Sequence, residues 1–387
     1  MLKQVLEELC AFGNRSTATE HERKAAQYLK SALEKAGYAA TLEEFNSPST
    51  FSWTYLVIYL GFAGSIPLSL FLPLPAIVIF LVTLVLFLGE QTTMFSPLTN
   101  VVFARGKSSN VMGKPQKEGA KPGRTVWLVA HYDTSKTSLA FSPASVPFLR
   151  PLFAFSLLLL AGAFVLILFT YHTGLASRLP VKIFFYFCGA YFFYLAAMMF
   201  ERELRGKPVQ GAADNATGVA IACELASRFA EKPLAKTGLR VLLTGAEEVE
   251  MVGMHHFIQK HGRELSQEND YFVNFDSIGD GGVCWITKEG MIRPLPASEK
   301  LLKICESLAA QEKFKSVKGC PYTALTLDTL VARSRGYQVI SFMALTEQGF
   351  PRPWHWFDDT LEKVDLAKLS LCADFAEEMV RRLDAAP

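Results

Sequence analysis

The chain has 387 residues, 39 basic and 37 acidic side chains, and a formal net charge of +2. So even a balance excludes the basic footprint of a nucleic-acid-binding protein, and the length allows one large domain or two ordinary ones. Half of the residues are hydrophobic and 30 are Phe, too apolar for an ordinary soluble enzyme, so membrane segments are expected.

Seven cysteines (Cys10, Cys188, Cys223, Cys284, Cys305, Cys320, Cys372) form no close pair. They indicate neither a disulfide framework nor a zinc knuckle, and fit a reducing compartment. Glu7, Glu8 and Arg15 interrupt the N-terminus, which does not read as a signal peptide.

Residues 1–37 read as two amphipathic helices; in the second, Ala26, Leu29, Leu33 and Ala36 recur at helical spacing before Gly37. A strand is expected over 40–45. Residues 51–89 carry no charge, and Pro67, Pro73 and Pro75 mark a turn near the middle. Two spans with a turn need roughly 44 residues, so two short spans or a re-entrant hairpin fit. Strands follow at 110–112 and 125–130. The second is continuously apolar, as a strand covered on both faces must be, and it ends in His131-Tyr132-Asp133.

A second apolar block covers 146–200. Its segments 153–170 and 181–200 approach the ~20 residues of a spanning helix, and a polar loop with Arg178 joins them. Beyond Arg202 the chain is soluble in character. Asp214-Asn215-Ala216-Thr217-Gly218 precedes a helix with Ile221, Leu225 and Phe229 on one face. The strand 239–243 is broken by Gly245 and hands over to a helix at Glu247 and Glu248. Asp276 ends the strand 271–275, His355 lies in the loop after the strand 338–344, and a helix over 366–383 closes the domain. This alternation predicts an α/β fold, a mostly parallel central sheet with helices on both faces, plus about four inserted transmembrane helices. Segments 1–50, 99–136 and 208–387 together make one catalytic domain of 268 residues; 51–98 and 137–207 are membrane hairpin insertions.

His131, Asp214, Glu247 and Asp276 each follow a strand or open a helix, at the sheet edge where open α/β folds bind ligands. Two His, two Asp and two Glu make a nitrogen-and-oxygen metal site that suits Zn2+, with Mn2+ or Co2+ as substitutes. Adjacent residues point in different directions, so of Glu247 and Glu248 one can bind metal while the other takes a proton from water. The plainer alternative is a pair of acids complementing a helix dipole. Asp133, two residues after His131 on one face of an extended segment, is placed to hold the imidazole in the metal-binding tautomer. Tyr322 is a candidate oxyanion donor.

The ordered set His131-x-Asp133, Asp214 to Gly218, Glu247-Glu248, Asp276 and His355 with Asp359-Thr360 resembles the co-catalytic di-zinc aminopeptidases of the leucyl aminopeptidase type, relatives of glutamate carboxypeptidase II and the glutaminyl cyclases. Arg15-Ser16-Thr17, Ala25 to Leu29 and Gly37-Tyr38 are similar to that family's opening. The resemblance implies two zinc ions, one on His131 and Asp276, the other on Glu248 and His355, with Asp214 bridging and Glu247 as general base. It places Asp328 near the substrate pocket. Ala213 stands where the family has a second Asp, and Trp356 where it has Thr. Trp354-His355 after Phe350-Pro351-Arg352-Pro353 leans toward the glutaminyl cyclases, which bind one zinc and cyclise. A single-zinc cyclase and a catalytically inactive membrane receptor or scaffold are the alternatives to a zinc metallopeptidase.

The expected partners are the lipid bilayer and a hydrophobic peptide or acylated small molecule, with no nucleic acid; the oligomeric state stays open. Both insertions start and finish on one side. That side carries Arg105, Lys107, Lys114, Lys117, Lys121, Arg124, Lys136, Arg150, Arg202, Arg205 and Lys207, against Arg178 and Lys182 opposite. By the positive-inside rule the protein is multi-pass with its catalytic domain on the cytoplasmic face. The second insertion leaves just after Asp133 and returns just before Asp214, through tethers 134–147 and 201–213. An extended residue covers at most about 3.6 Å, which holds the metal site near the headgroups and favours amphipathic amides.

Overall fold

The structure, a computed structural model, describes residues 1–93, 95–116, 123–173 and 177–386; Lys117 and Lys121 of the basic side lie outside them. In chain order the elements are α1 (Leu2–Ala11), α2 (Glu20–Lys35), β1 (Tyr38–Ser47), α3 (Ser52–Leu68), α4 (Pro73–Thr92), β2 (Gly106–Pro115) and β3 (Arg124–His131). Next come α5 (Leu149–Thr173), α6 (Leu179–Arg205), α7 (Thr217–Glu231), β4 (Thr237–Thr244), α8 (Val252–His261) and β5 (Asp270–Phe275). The chain ends with β6 (Gly282–Glu289), β7 (Leu295–Pro296), α9 (Glu299–Ala309), β8 (Lys318–Tyr322), α10 (Asp328–Arg333), β9 (Gln338–Leu345) and α11 (Leu366–Ala385). They fall into two units, one of Met1–Ser49, Ala104–Thr137 and Lys207–Pro387, the other of Thr50–Phe103 and Ser138–Gly206.

The first unit is a mixed α/β fold around one sheet, in the order β1-β2-β4-β3-β5-β9-β6-β7 with β8 beside β6. Only the centre, β4-β3-β5-β9, is a parallel block; β1, β2, β6 and β7 join it through antiparallel pairs, and β8 lies parallel to β6. The sheet is therefore mixed, not mostly parallel as expected. Burial explains the difference. The central β5 is buried at every residue, whereas β1 alternates with exposed positions and needs cover on one face only. Along β3 the faces separate: Val126, Leu128 and Ala130 pack with α1, α2, α7 and α11, while Trp127 and Val129 pack with α8 and α10. Helices thus lie on both sides of the sheet.

In the second unit Pro73–Thr92, Val146–Thr170 and Leu179–Arg205 are long and apolar enough to cross a membrane. The expected fourth helix, α3, has 17 residues, and at 1.5 Å per residue falls short of a ~30 Å hydrocarbon layer. Phe62, Phe80, Phe87 and Phe192 build the unit's interior, yet Val78, Val82, Leu158, Ile183 and Phe193 point outward. Helices apolar outside as well as inside suit an apolar solvent.

Candidate metal centre

The parallel strands deliver polar residues at one end. His131 closes β3 in register with Thr244, the last residue of β4, and Asp276 follows β5 directly. The sequence Asp214 to Gly218 brings the bridge between them. Asn215 donates to Phe275 O at 2.8 Å and accepts from Gly218 N at 2.9 Å and Ser277 N at 3.2 Å, tying the segment to the end of β5. A Cβ on Gly218 would stand 2.2 Å from Phe275 O, so only glycine fits there. Asp359 accepts from Ala213 N at 2.6 Å and Asp214 N at 3.2 Å, fixing the backbone from which the Asp214 carboxylate projects.

That carboxylate divides. Its Oδ1 lies 3.1 Å from His131 Nε2, and its Oδ2 lies 3.1 Å from His355 Nε2. Asp276 Oδ2 stands 3.6 Å from His131 Nε2, and Glu248 Oε2 stands 3.0 Å from His355 Nε2. The outcome is two triads sharing one residue. Ligand atoms of His131, Asp214 and Glu248 all lie within 4.8 Å of one another. Glu247 Oε2 is 3.9 Å from His131 Nε2, and its side chain keeps 12% exposure where those of Asp214 and Glu248 keep 4%. Adjacent acids have thus diverged, one inward and one toward solvent. Neither opens a helix: α8 begins at Val252, after a loop left-handed at Ala246, Glu250 and Met251, so a dipole role falls away.

Asp133 faces two ways. His131 Nδ1 is 3.2 Å from the Asp133 carbonyl oxygen and 3.6 Å from its carboxylate. The carboxylate also accepts from Glu247 N at 3.0 Å, Glu248 N at 3.2 Å and Thr17 Oγ1 at 2.8 Å. Asp328 opens α10 and accepts from Thr244 Oγ1 at 2.5 Å; burial pushes it up to about 7. Tyr322 is buried at the end of β8, where Asp276, Asp214, Glu247 and Glu289 act on its hydroxyl. Two residues escaped the sequence reading. Glu289, in register with Tyr322, accepts from Thr329 Oγ1 at 3.0 Å and is pushed by burial to about 8. Arg15, fully buried, donates to Tyr132 O, Leu9 O, Gln210 O and Gly211 O. The signal available for Arg15 was its place in the Arg-Ser-Thr opening.

Electrostatics tests the fit of a metal. Asp133, Asp214, Glu248 and Asp276 are buried, and Glu247 nearly so, against two imidazoles. Burial pushes Glu247 well above the usual carboxylate range, against the pull of His131 and with help from Asp328, Asp276 and Glu248. It raises Glu248 and Asp276 too. Burial opposes charge on His355, but Glu248 and Asp214 outweigh it and bring the imidazole up to about 10. Glu247, Glu248 and Asp276 thus resist carrying charge in this buried setting, while against burial the two imidazoles hold Asp214 well below the usual carboxylate range. A cation placed among these acids would stabilise their charged forms. Glu248 Oε1, buried, has no hydrogen-bond partner among the described residues. Nitrogen and oxygen donors, excess anionic charge and an orphaned carboxylate oxygen fit zinc.

Residues 197–380 match the profile of Peptidase family M28. Solved structures extend the likeness to the whole chain. A zinc aminopeptidase from Bacillus subtilis superposes with a TM-score of 0.58 at 14% identity, over 99% of this chain and 94% of that one. A leucine aminopeptidase precursor from Bacteroides thetaiotaomicron gives 0.56 at 14%, over 98% and 95%. A glutaminyl cyclase from the same organism, bound to N-acetylhistamine, gives 0.57 at 13%, over 98% and 96%. No sequence among curated proteins matches. The M28 match supports a zinc-dependent, peptidase-like function, and the solved structures share the fold.

Proposed function

We propose that this chain is a membrane-held, zinc-dependent aminopeptidase or related amide hydrolase acting on hydrophobic peptides or N-acylated amphipathic amides. One observation carries the reading: the two oxygens of Asp214 face different imidazoles, each with its own second carboxylate. His131, Asp276 and Asp214 would hold one ion, and Glu248, His355 and Asp214 a second. Zinc, when bound, polarises the amide carbonyl and makes water acidic enough to attack near neutral pH. Glu247 faces the more open side, where it takes the proton from the attacking water and returns it to the leaving nitrogen. Burial suits it to the task, because a base working near pH 7 needs a pKa raised toward that value. The carboxylate of Asp133 orients Glu247 through its N–H, and the Tyr322 hydroxyl is the donor offered to the developing oxyanion.

Amphipathic substrates follow from the covalent route of the chain. The segments bearing His131 and Asp214 lead directly into α5 and out of α6, both long and apolar enough to span a bilayer. A single-zinc cyclase is the second reading, favoured by Trp354, buried with its ring centroid 5.4 Å from that of His355. Metal analysis of the detergent-purified chain, with assays for amide hydrolysis and cyclisation, tests the proposal. Two zinc equivalents with hydrolysis support it; one equivalent with cyclisation moves the assignment to a cyclase; no metal and no turnover leave a receptor or scaffold.

A further inference from the structure

The loops that carry the proposed ligands meet a segment that carries none. Residues 15–22, which follow α1 and run into α2, reach three of these loops, those of His131, Asp214 and Glu248. Arg15 donates to Tyr132 O at 2.7 Å, beside His131 at the end of β3, and to Gly211 O at 2.8 Å, close before Asp214 in the turn that leads into α7. Thr17 Oγ1 donates at 2.8 Å to Asp133 Oδ2, the oxygen that also accepts from Glu248 N. Glu22 is 1% exposed although it lies on a helix of otherwise solvent-facing acids. Its carboxyl accepts from Ala18 N at 2.6 Å and from Ser108 Oγ at 2.5 Å.

Two successive N–H groups, those of Glu247 and Glu248, therefore end on the buried Asp133 carboxylate, and the Ser108 hydroxyl held by Glu22 lies against Gly245 just before them. The loop has reason to need them. It adopts left-handed backbone at Ala246, Glu250 and Met251, none of them glycine, and such residues stay there only when their surroundings hold them. A Cβ on Gly245 would stand 2.4 Å from Ser108 Oγ, and one on Gly253 would stand 2.2 Å from Gly245 O, so the loop is also closely packed from below.

We propose that Thr17 and Glu22 are positioning residues for the Glu247-Glu248 pair: acting through Asp133 and through Ser108 against Gly245, they set the base against the metal ligands without touching substrate. This rests on the reading of Glu247 as the base. Purely structural residues would alter the amount of folded protein; positioning residues alter turnover in the protein that is folded.

The experiment uses the full chain in detergent, loaded with zinc, and four variants: Thr17→Val, Thr17→Ser, Glu22→Leu and Glu22→Gln. Thr17→Val and Glu22→Leu are expected to keep their zinc content and KM while kcat falls by roughly ten- to a hundredfold, as a small misplacement of a catalytic group produces. Thr17→Ser keeps the hydroxyl, and Glu22→Gln keeps an acceptor for the Ala18 N–H while its amide donates to Ser108 Oγ. Both are expected to recover most of kcat. Wild-type kcat in Thr17→Val and Glu22→Leu overturns the proposal. So does a loss that tracks a lower thermal midpoint and is not recovered by the conservative pair. A wild-type chain that hydrolyses no amide overturns the hydrolase reading itself, and the role of Glu247 with it; variants indistinguishable from an active wild type overturn only the positioning.

Discussion

Exchanging each acid of the adjacent pair for its amide separates base from ligand. Glu247→Gln preserves shape and removes only the ability to accept a proton. Its carboxylate stands 3.9 Å from His131 and keeps partial exposure, so it is outside both triads. Losing a general base costs about 10²–10⁴ in kcat, or roughly 3–5 kcal/mol of barrier, with zinc content unchanged. Glu248→Gln removes a buried negative charge 3.0 Å from the imidazole it shares an ion with. A ligating carboxylate approaches its ion more closely than that, so at an effective dielectric near 20 the lost attraction is at least on the order of 5 kcal/mol, roughly three decades or more of metal affinity. That variant should retain one zinc equivalent or less after dialysis against a moderate chelator. Elemental analysis of the two purified variants, alongside turnover of one amide substrate, measures both effects. Equal loss of metal in both, or an active Glu247→Gln, would refute the division of labour.

Four further outcomes are expected. In the metal-free chain His355 is raised to about 10 from an ordinary 6.5, and a raised histidine stabilises fully below the lower value and ceases to as pH rises through the upper one. Thermal midpoints of the metal-free chain should therefore fall between pH 7 and 10 while the zinc-loaded chain stays flat; a flat metal-free profile contradicts the electrostatics. Asp359→Ala strips acceptors from the N–H groups of Ala213 and Asp214, about 1–3 kcal/mol for each buried group left unpaired, and metal analysis should find less than two equivalents. A reporter fused after Pro387 should be active only in the cytoplasm; activity confined to the opposite side would reverse the topology. Across amides differing only in acyl length, kcat/KM should rise up to about fourfold per methylene, since burying each is worth about 0.8 kcal/mol; no trend would leave the apolar helices as a plain anchor.

The central strands were legible because burial on both faces writes a continuous apolar run, as in Val126 to Ala130. Residues that follow such runs were legible with them, and the structure gathers His131, Asp214, Glu247, Glu248, Asp276 and His355 at one sheet end. The mixed character of the sheet was hidden, because it comes from pairings, β1 antiparallel to β2 and β2 to β4, that a strand's own residues do not record. Asp133 lies beside His131 Nδ1 through both its carbonyl and its carboxylate, but spacing alone did not show that the carboxylate also receives the Glu247 and Glu248 N–H groups. The contacts of Arg15 and Glu22 were hidden for a related reason: their acceptors and donors are mostly main-chain groups, which carry no residue identity.

The order of strands in the sheet sets a timetable for biosynthesis. β3 has no neighbour among earlier strands: β1 pairs with β2, β2 with β4, and β3 only with β4 and β5. It leaves the ribosome between the two apolar hairpins and waits, an unpaired hydrophobic strand, until residue 237 begins the first of its partners. His355, translated last among the proposed ligands, comes after β9. Nascent chains therefore cannot assemble the metal centre before both hairpins have been made, and the vulnerable interval for aggregation or proteolysis runs from residue 131 to residue 275.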